Sequence, residues 1–299
     1  MRRLLRFLPF ALFVSVIVSA TPVAAQRMID ERFAMRPDGS IRVHNLAGSV
    51  KVTVWDHDSV AVTGTIFEPQ PGDWYFGATP EGAKLGVWTN APVAGVKPSE
   101  FTLQVPRNAQ VWVRTASSEI LIAGVTGGVD ANSVSGRILV TGSPRELYVE
   151  SLGGELDIDV TTRSLRAKTA SGNIRIRGAI RDVTATSVSG NLSIQGDRFE
   201  RGTFESVDGD IHYIGNIGRT SALDFINHSG AVEFLLAPDA AGEFELNTFQ
   251  GTFENDLGVR ARTQQSKLRG TDVGLTLGSG GGHISVRNFK GRIVLRRKG

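Results

Sequence analysis

Between Ser133 and Asn255 one short phrase recurs seven times: a Ser, Thr or Asn, two further residues, a turn glycine, then two large residues in alternation. The glycines are Gly136, Gly154, Gly172, Gly190, Gly209, Gly230 and Gly251, so the interval is 18 residues three times, then 19, then 21 twice. A drifting period near 20 with a constant side-chain pattern marks a stacked repeat, because each unit is too small to bury its apolar face alone.

Two positions after each glycine stand Ile138, Leu156, Ile174, Leu192, Ile211, Val232 and Phe253, and two further on Val140, Ile158, Ile176, Ile194, Tyr213, Phe234 and Asn255. That is one face of a strand with period two. The seventh and fifth residues before the glycine supply a second strand face, from Val129 and Ala131 to Phe244 and Leu246. The third residue back is Ser133, Ser151, Thr169, Ser187, Ser206, Asn227 or Thr248, side chains able to bond the backbone groups that a turn leaves unpaired. The same template fits Gly48, and Ser118 in the glycine slot; at Gly282 it collects Leu275, Leu277, Ile284 and Val286, and Gly291 is followed by Ile293 and Leu295.

The pattern predicts an all-β chain, a parallel β-solenoid (β-helix) with coils of 18–21 residues, right-handed by the general bias of parallel crossovers, and a β-rich N-terminal cap. A β-sandwich would favour hairpin turns and irregular spacing, and a propeller blade needs roughly 40 residues. The expected organisation is a signal peptide at 1–25, a cap at 26–66, an irregular Pro-rich and aromatic insertion with the strand leading into the repeats at 67–110, and the repeat region at 111–299 with a loop at 256–270.

The first 25 residues carry Arg2, Arg3 and Arg6, an apolar run from Phe7 to Ala20 and the small-residue site Val23-Ala24-Ala25. This is the form of an export signal, with an apolar core shorter than a membrane-spanning helix needs. Its removal takes three arginines and no acid, leaving basic and acidic residues equal at 30 each. A mature chain without net charge gives no electrostatic reason for a nucleic-acid or anionic-membrane partner. With no cysteine in the chain, disulfides and thiolate metal sites are excluded.

The chemistry-bearing residues mostly have a place in the repeat. His44, His57, His212, His228 and His283 form no metal-ligand spacing. Asp157 and Asp159 share one strand face and Asp208 and Asp210 flank Gly209, but parallel stacking sets Arg175 and Arg177 beside the first pair, which reads as an exposed charge ladder. The run Gly278–Gly282 lacks the Lys-Ser or Lys-Thr and helix of a phosphate loop. No catalytic, cofactor or metal site is expected. The candidates for binding are Trp74, Tyr75, Phe76 and Trp88 of the insertion, since exposed aromatic rings stack on sugars or anchor interfaces.

The phrases Asn45-Leu46-Ala47-Gly48-Ser49-Val50, Leu103-Gln104-Val105-Pro106-Arg107, Thr169-Ala170-Ser171-Gly172-Asn173-Ile174 and Ser187-Val188-Ser189-Gly190-Asn191-Leu192, with Gly282-His283-Ile284-Ser285-Val286, resemble the bacterial exported β-strand-repeat domain of unknown function often labelled "putative adhesin". The resemblance covers about Ile41 to Leu295. It implies a noncatalytic exported protein of the cell envelope, periplasmic, on the cell surface or secreted, acting as adhesin or scaffold. The expected partners are cell-envelope glycan or another envelope protein, bound by an elongated monomer with no integral membrane segment in the mature chain. The alternative is a polysaccharide-active or glycan-binding β-helix protein, which would need acids or bases converging across successive coils.

Overall fold

The inward rows of β-branched, Leu and aromatic residues suit a pleated surface buried on one side. A computed structural model describes residues 26–68, 72–89, 95–196, 199–265 and 270–298. The expected signal peptide at 1–25, and Pro69, Pro71, Pro92, Lys267 and Arg269, lie outside the described residues. No helix occurs among the described residues, and none there is long and apolar enough to cross a membrane.

The described residues begin with β1 (Gln26–Ala34), β2 (Ser40–Asn45), β3 (Gly48–Trp55), β4 (Ser59–Phe67), β5 (Trp74–Thr79), β6 (Gly82–Val87) and β7 (Ser99–Pro106). Strands then come in pairs about each turn: β8 (Gln110–Thr115) and β9 (Glu119–Ala123), β10 (Gly128–Ser133) and β11 (Ile138–Gly142), β12 (Glu146–Ser151) and β13 (Leu156–Val160), β14 (Thr162–Thr169) and β15 (Ile174–Arg177). The pairs continue with β16 (Ile180–Ser187) and β17 (Leu192–Gly196), β18 (Arg201–Asp208) and β19 (Ile211–Gly215), β20 (Ala222–Ser229) and β21 (Val232–Leu236). The long β22 (Gly242–Asn255), β23 (Arg262–Gln265), β24 (Thr271–Leu277) and the long β25 (Gly282–Arg297) complete the chain.

Even-numbered strands from β8 to β20 form one parallel ladder, in which Val111, Val129, Leu147, Leu165, Val183, Gly202 and Leu223 lie in a single row. Odd-numbered strands from β9 to β21 form the other, with Ile120, Ile138, Leu156, Ile174, Leu192, Ile211 and Val232 in register. These residues, Gly202 included, are buried between the ladders. The architecture is all-β and solenoid-like, and its inward rows are those that the repeat predicts.

Most turns are held by the residue three places before the glycine; Thr248 Oγ1, before Gly251, is buried without a hydrogen-bond partner among the described residues. Hydroxyls of Ser133, Ser151, Thr169 and Ser187 accept from the amides of Gly136, Gly154, Gly172 and Gly190 at 2.8–2.9 Å. Where the column changes to Asn, the Asn227 and Asn288 amides instead donate to the Gly209 and Gly230 carbonyls, both at 3.1 Å. Gly202, a gap in the inward row, is filled from its neighbours: a Cβ there would lie 2.7 Å from the Phe204 ring and 2.9 Å from Leu223.

Both ends depart from simple succession. The long β25 pairs in parallel with β20 and β21 on one side and with β22 on the other, so the last segment of the chain is threaded into the stack and β22 lies beyond it. This corrects the template at Gly282: the turn glycine of that coil is Gly291, with Ile284, Val286 and Asn288 before it and Ile293 and Leu295 after it. Leu275 and Leu277 belong to β24, antiparallel to β22, and β23 adds to β24. At the other end β2 lies between β8 and β6, and β3 between β9 and β7, so an additional coil stands outside the one containing Gly48. Its halves are separated by 88–98, which hides it from a search for a regular interval. Antiparallel β4 and β1 continue the ladder from β7, while β5 edges β6.

Candidate functional site

The aromatic candidates lie at the N-terminal end of the stack, and the pleat divides them. In β5, Trp74 pairs with Val87 and Phe76 with Leu85, so both rings share the inner face with buried residues. The Trp74 indole stacks on Phe101 at 5.9 Å between centroids, and Phe76 meets Phe33 edge-on at 5.5 Å. Trp74 is half-buried and Phe76, still 39% exposed, lies at the rim of this end of the core.

Tyr75 points the other way. It lies opposite Gly86, which in turn lies opposite His44, and the phenol reaches across the glycine to bond with His44 Nδ1. Gly86 is required twice over: its φ is +152°, and a Cβ would stand 2.3 Å from the His44 carbonyl oxygen. Trp88 follows, 58% exposed, with its ring tilted 6.1 Å from that of His44 and its amide bonded to the Asp73 carbonyl. Lys84 Nζ sits 5.3 Å from the centre of the Tyr75 ring. The outer face therefore presents Trp88, Tyr75, His44 and Lys84 together.

Burial raises the Tyr75 phenol to about 12. Burial, followed by the charges of Lys84, Arg114 and Arg42, lowers His44 below its ordinary value. Both shifts favour neutral partners, so the phenol donates and Nδ1 accepts, placing the imidazole proton on Nε2. The folded chain thus resists binding a proton that the unfolded chain takes up near pH 6.5. Stability contributed by this site is full above that pH and is lost as pH falls from about 6.5 towards the lower folded-state value. Thermal melts at pH 7.5 and pH 5 are expected to show a larger fall for the wild type than for His44→Gln; equal falls would remove His44 as the cause.

The acids are used otherwise. Asp157 and Asp159 do lie against Arg175 and Arg177 in register, but Asp157 is buried rather than exposed, with 6% of its surface accessible. It is ringed by Arg137 at 2.9 Å, Arg177 at 3.0 Å and Arg175 at 3.3 Å. Three long side chains from neighbouring rungs cover it, an arrangement invisible without the register. Asp210 accepts from the Ala231 amide at 2.7 Å and its own amide donates to Asn191 Oδ1 at 2.9 Å. Asp210 is thus a turn ligand.

The histidines are dispersed. Glu233 meets His212 at 3.3 Å and Arg292 at 2.8 Å, His57 lies edge-on to Trp55, and His228 stacks on Phe289. Among the described residues no group of three His, Asp or Glu is placed to hold a metal ion. Gly278–Gly281 form the turn between β24 and β25.

Parallel coils stacked in two ladders, with outward rows tied across rungs and an aromatic end, define an all-β repeat protein. The chain belongs to the Toastrack DUF4097 family, a domain of unknown function, whose model matches residues 141–292. It is similar in fold to a putative adhesin of Bacteroides fragilis, at 12% identity and a TM-score of 0.48, covering 91% of this chain and 98% of that one. A putative adhesin of Parabacteroides distasonis aligns at 10% identity and 0.40, over 90% and 97%. A putative cell adhesion protein of Clostridium sporogenes aligns at 10% and 0.23, over 91% and 100%. No protein of curated function matches the chain.

Proposed function

We propose that this is a noncatalytic, exported protein of the cell envelope that uses a rigid repeat surface for adhesion or scaffolding. The supporting observation is how its outward charges are spent. Asp157 and Asp159, Asp182, Glu200 and Glu233 are all tied to arginines of the same or neighbouring rungs. Carboxylates engaged in this way stiffen a surface and are poorly placed to exchange protons with a substrate. In this reading the stack is a right-handed solenoid with coils of 18–21 residues, 26–66 acts as cap, 67–110 carries the binding end and 111–299 is the presenting surface. Trp88 and Tyr75 contact the partner, a cell-envelope glycan or envelope protein, while Trp74 and Phe76 hold the end together.

The test is co-sedimentation of purified protein with insoluble envelope material, with soluble oligosaccharide release followed in parallel. Retention without release is expected, and Trp88→Ala should lower retention about threefold or more, as loss of one exposed aromatic contact would. Release of oligosaccharide that grows with time would overturn the noncatalytic reading; unchanged retention of Trp88→Ala would remove the aromatic end as the binding surface.

A further inference from the structure

Two residues before five successive turn glycines, Gly136 to Gly209, stand Val134, Leu152, Ala170, Val188 and Val207, one above another along the edge of the stack. Val134, Leu152, Val188 and Val207 are 51%, 61%, 52% and 43% exposed. A repeat that buries apolar side chains inward on every rung has no reason of stability to line up a second, outward column, and such continuous exposure marks an association surface. A trough of about 560 Å³ runs beside the column from Arg114 to Val188.

Its far wall is part of a row of polar residues four places before the turn glycine (Ser118 on the first of these rungs), Arg114, Asn132, Glu150, Lys168 and Thr186, and the row continues in register to Glu205 beyond the trough. At Asp157 and Glu233 charges on neighbouring rungs are paired. In this row Glu150 accepts from the Tyr148 hydroxyl, and the side chains of Arg114, Lys168 and Glu205 form no hydrogen bond or ion pair among the described residues. Four charges are left facing outward along an apolar ridge.

Their order is self-complementary. Reflected about the midpoint between the Glu150 and Lys168 rungs, Glu150 falls on Lys168, Asn132 on Thr186 and Arg114 on Glu205. No like charges meet. The ridge obeys the same midpoint, with Val134 on Val188 and the large Leu152 on the small Ala170. One row further from the turn, Arg42 falls on Asp224, again opposite in sign. A two-fold axis lying along the strand direction performs this reflection, and the isologous contact it creates uses one patch on both molecules.

We infer that the occupant of this surface is a second copy of the chain, packed antiparallel, with Glu150 of each copy against Lys168 of the other. A glycan fits the trough less well. Its lining residues include no aromatic ring that could serve as a stacking platform. The dimer replaces the monomer expected from sequence; its test reads the oligomeric state whereas the adhesion test reads retention on envelope material, so the two readings fail separately.

Sedimentation equilibrium of the purified protein up to ~200 µM, at low and high salt, tests the arrangement. The wild type is expected to dimerise, less so at high salt. In a two-fold contact every substitution acts twice, so Glu150→Lys and Lys168→Glu should each weaken dimerisation at least about tenfold, and the double swap should return it to within about threefold of wild type. Leu152→Asp, exposed and therefore without cost to the monomer's own fold, should abolish the dimer. A wild type that stays monomeric over the whole range overturns the proposal, and a double swap no better than either single change overturns the antiparallel register.

Discussion

Replacing Gly172 by Ala is expected to be among the most destabilising single changes in this chain, although it adds one methyl group at a turn. The added Cβ would stand 2.0 Å from the Gly154 carbonyl oxygen and 3.0 Å from Thr169 Oγ1. Neither can retreat freely. Gly154 is equally close to the rung before it, where a Cβ would lie 2.1 Å from the Gly136 oxygen, and Thr169 Oγ1 is held by the Gly172 amide at 2.9 Å. Separating the rungs would stretch the ladder bonds on both sides, so the strain is not absorbed locally. A loss of about 3 kcal/mol, at the upper end of ordinary overpacking, corresponds to a fall in Tm of about 6–12 °C. Gly153→Ala is the control, because its Cβ would meet nothing nearer than Ser171 Oγ at 3.4 Å. It should change stability by less than about 0.5 kcal/mol. Chemical denaturation of both variants checks the pair; an unaffected Gly172→Ala would mean that the close-packed turn column does not limit stacking.

The same column explains why the fold was so legible. A rung spacing near 4.8 Å leaves no room for side chains where turns stack, so glycine recurs at the stacking interval itself and the sequence carries the architecture's period directly. The inward rows followed from alternation about those glycines, including the coils at Gly48 and Ser118. Legibility stopped where order along the chain and order in the stack diverge. Ser279 and Gly282 imitate the turn phrase, yet the true turn is Asn288 to Gly291, because β25 returns to insert beside β20 and β21 rather than continuing outward. The coil made by β6 and β7 was hidden by the long span between its halves. At the aromatic end, alternation alone separates Trp74 and Phe76 from Tyr75, but the pairing of Tyr75 with His44 depends on β6 lying between them with a glycine at the crossing. Asp157 likewise acquires its burial from arginines on either side, which no linear motif contains.

The lengthening of the repeat from 18 to 21 residues has a physical counterpart in the core, and its removal is the second large effect expected. Through the 18-residue coils the row five before the glycine is Ala131, Val149, Ala167 and Ala185; from the next coil it becomes Phe204 and Phe225. A wider cross-section needs more chain to enclose it. Phe225 is fully buried at its centre, stacked on Phe204 at 4.9 Å and edge-on to Phe234 at 4.8 Å and Tyr213 at 5.7 Å. Phe225→Ala removes the ring about which the other three are packed, in coils whose length prevents collapse onto the space. The expected cost is about 3–5 kcal/mol, a fall in Tm of about 6–20 °C. Phe225→Leu, which keeps most of the volume and loses the ring contacts, should cost less than about 1.5 kcal/mol. Ala185→Phe, the converse change in an 18-residue coil, should destabilise by overpacking, because there the shorter chain holds the ladders too close to accept a ring. If Phe225→Ala and Phe225→Leu cost the same, or Ala185→Phe is neutral, coil length is not set by core volume.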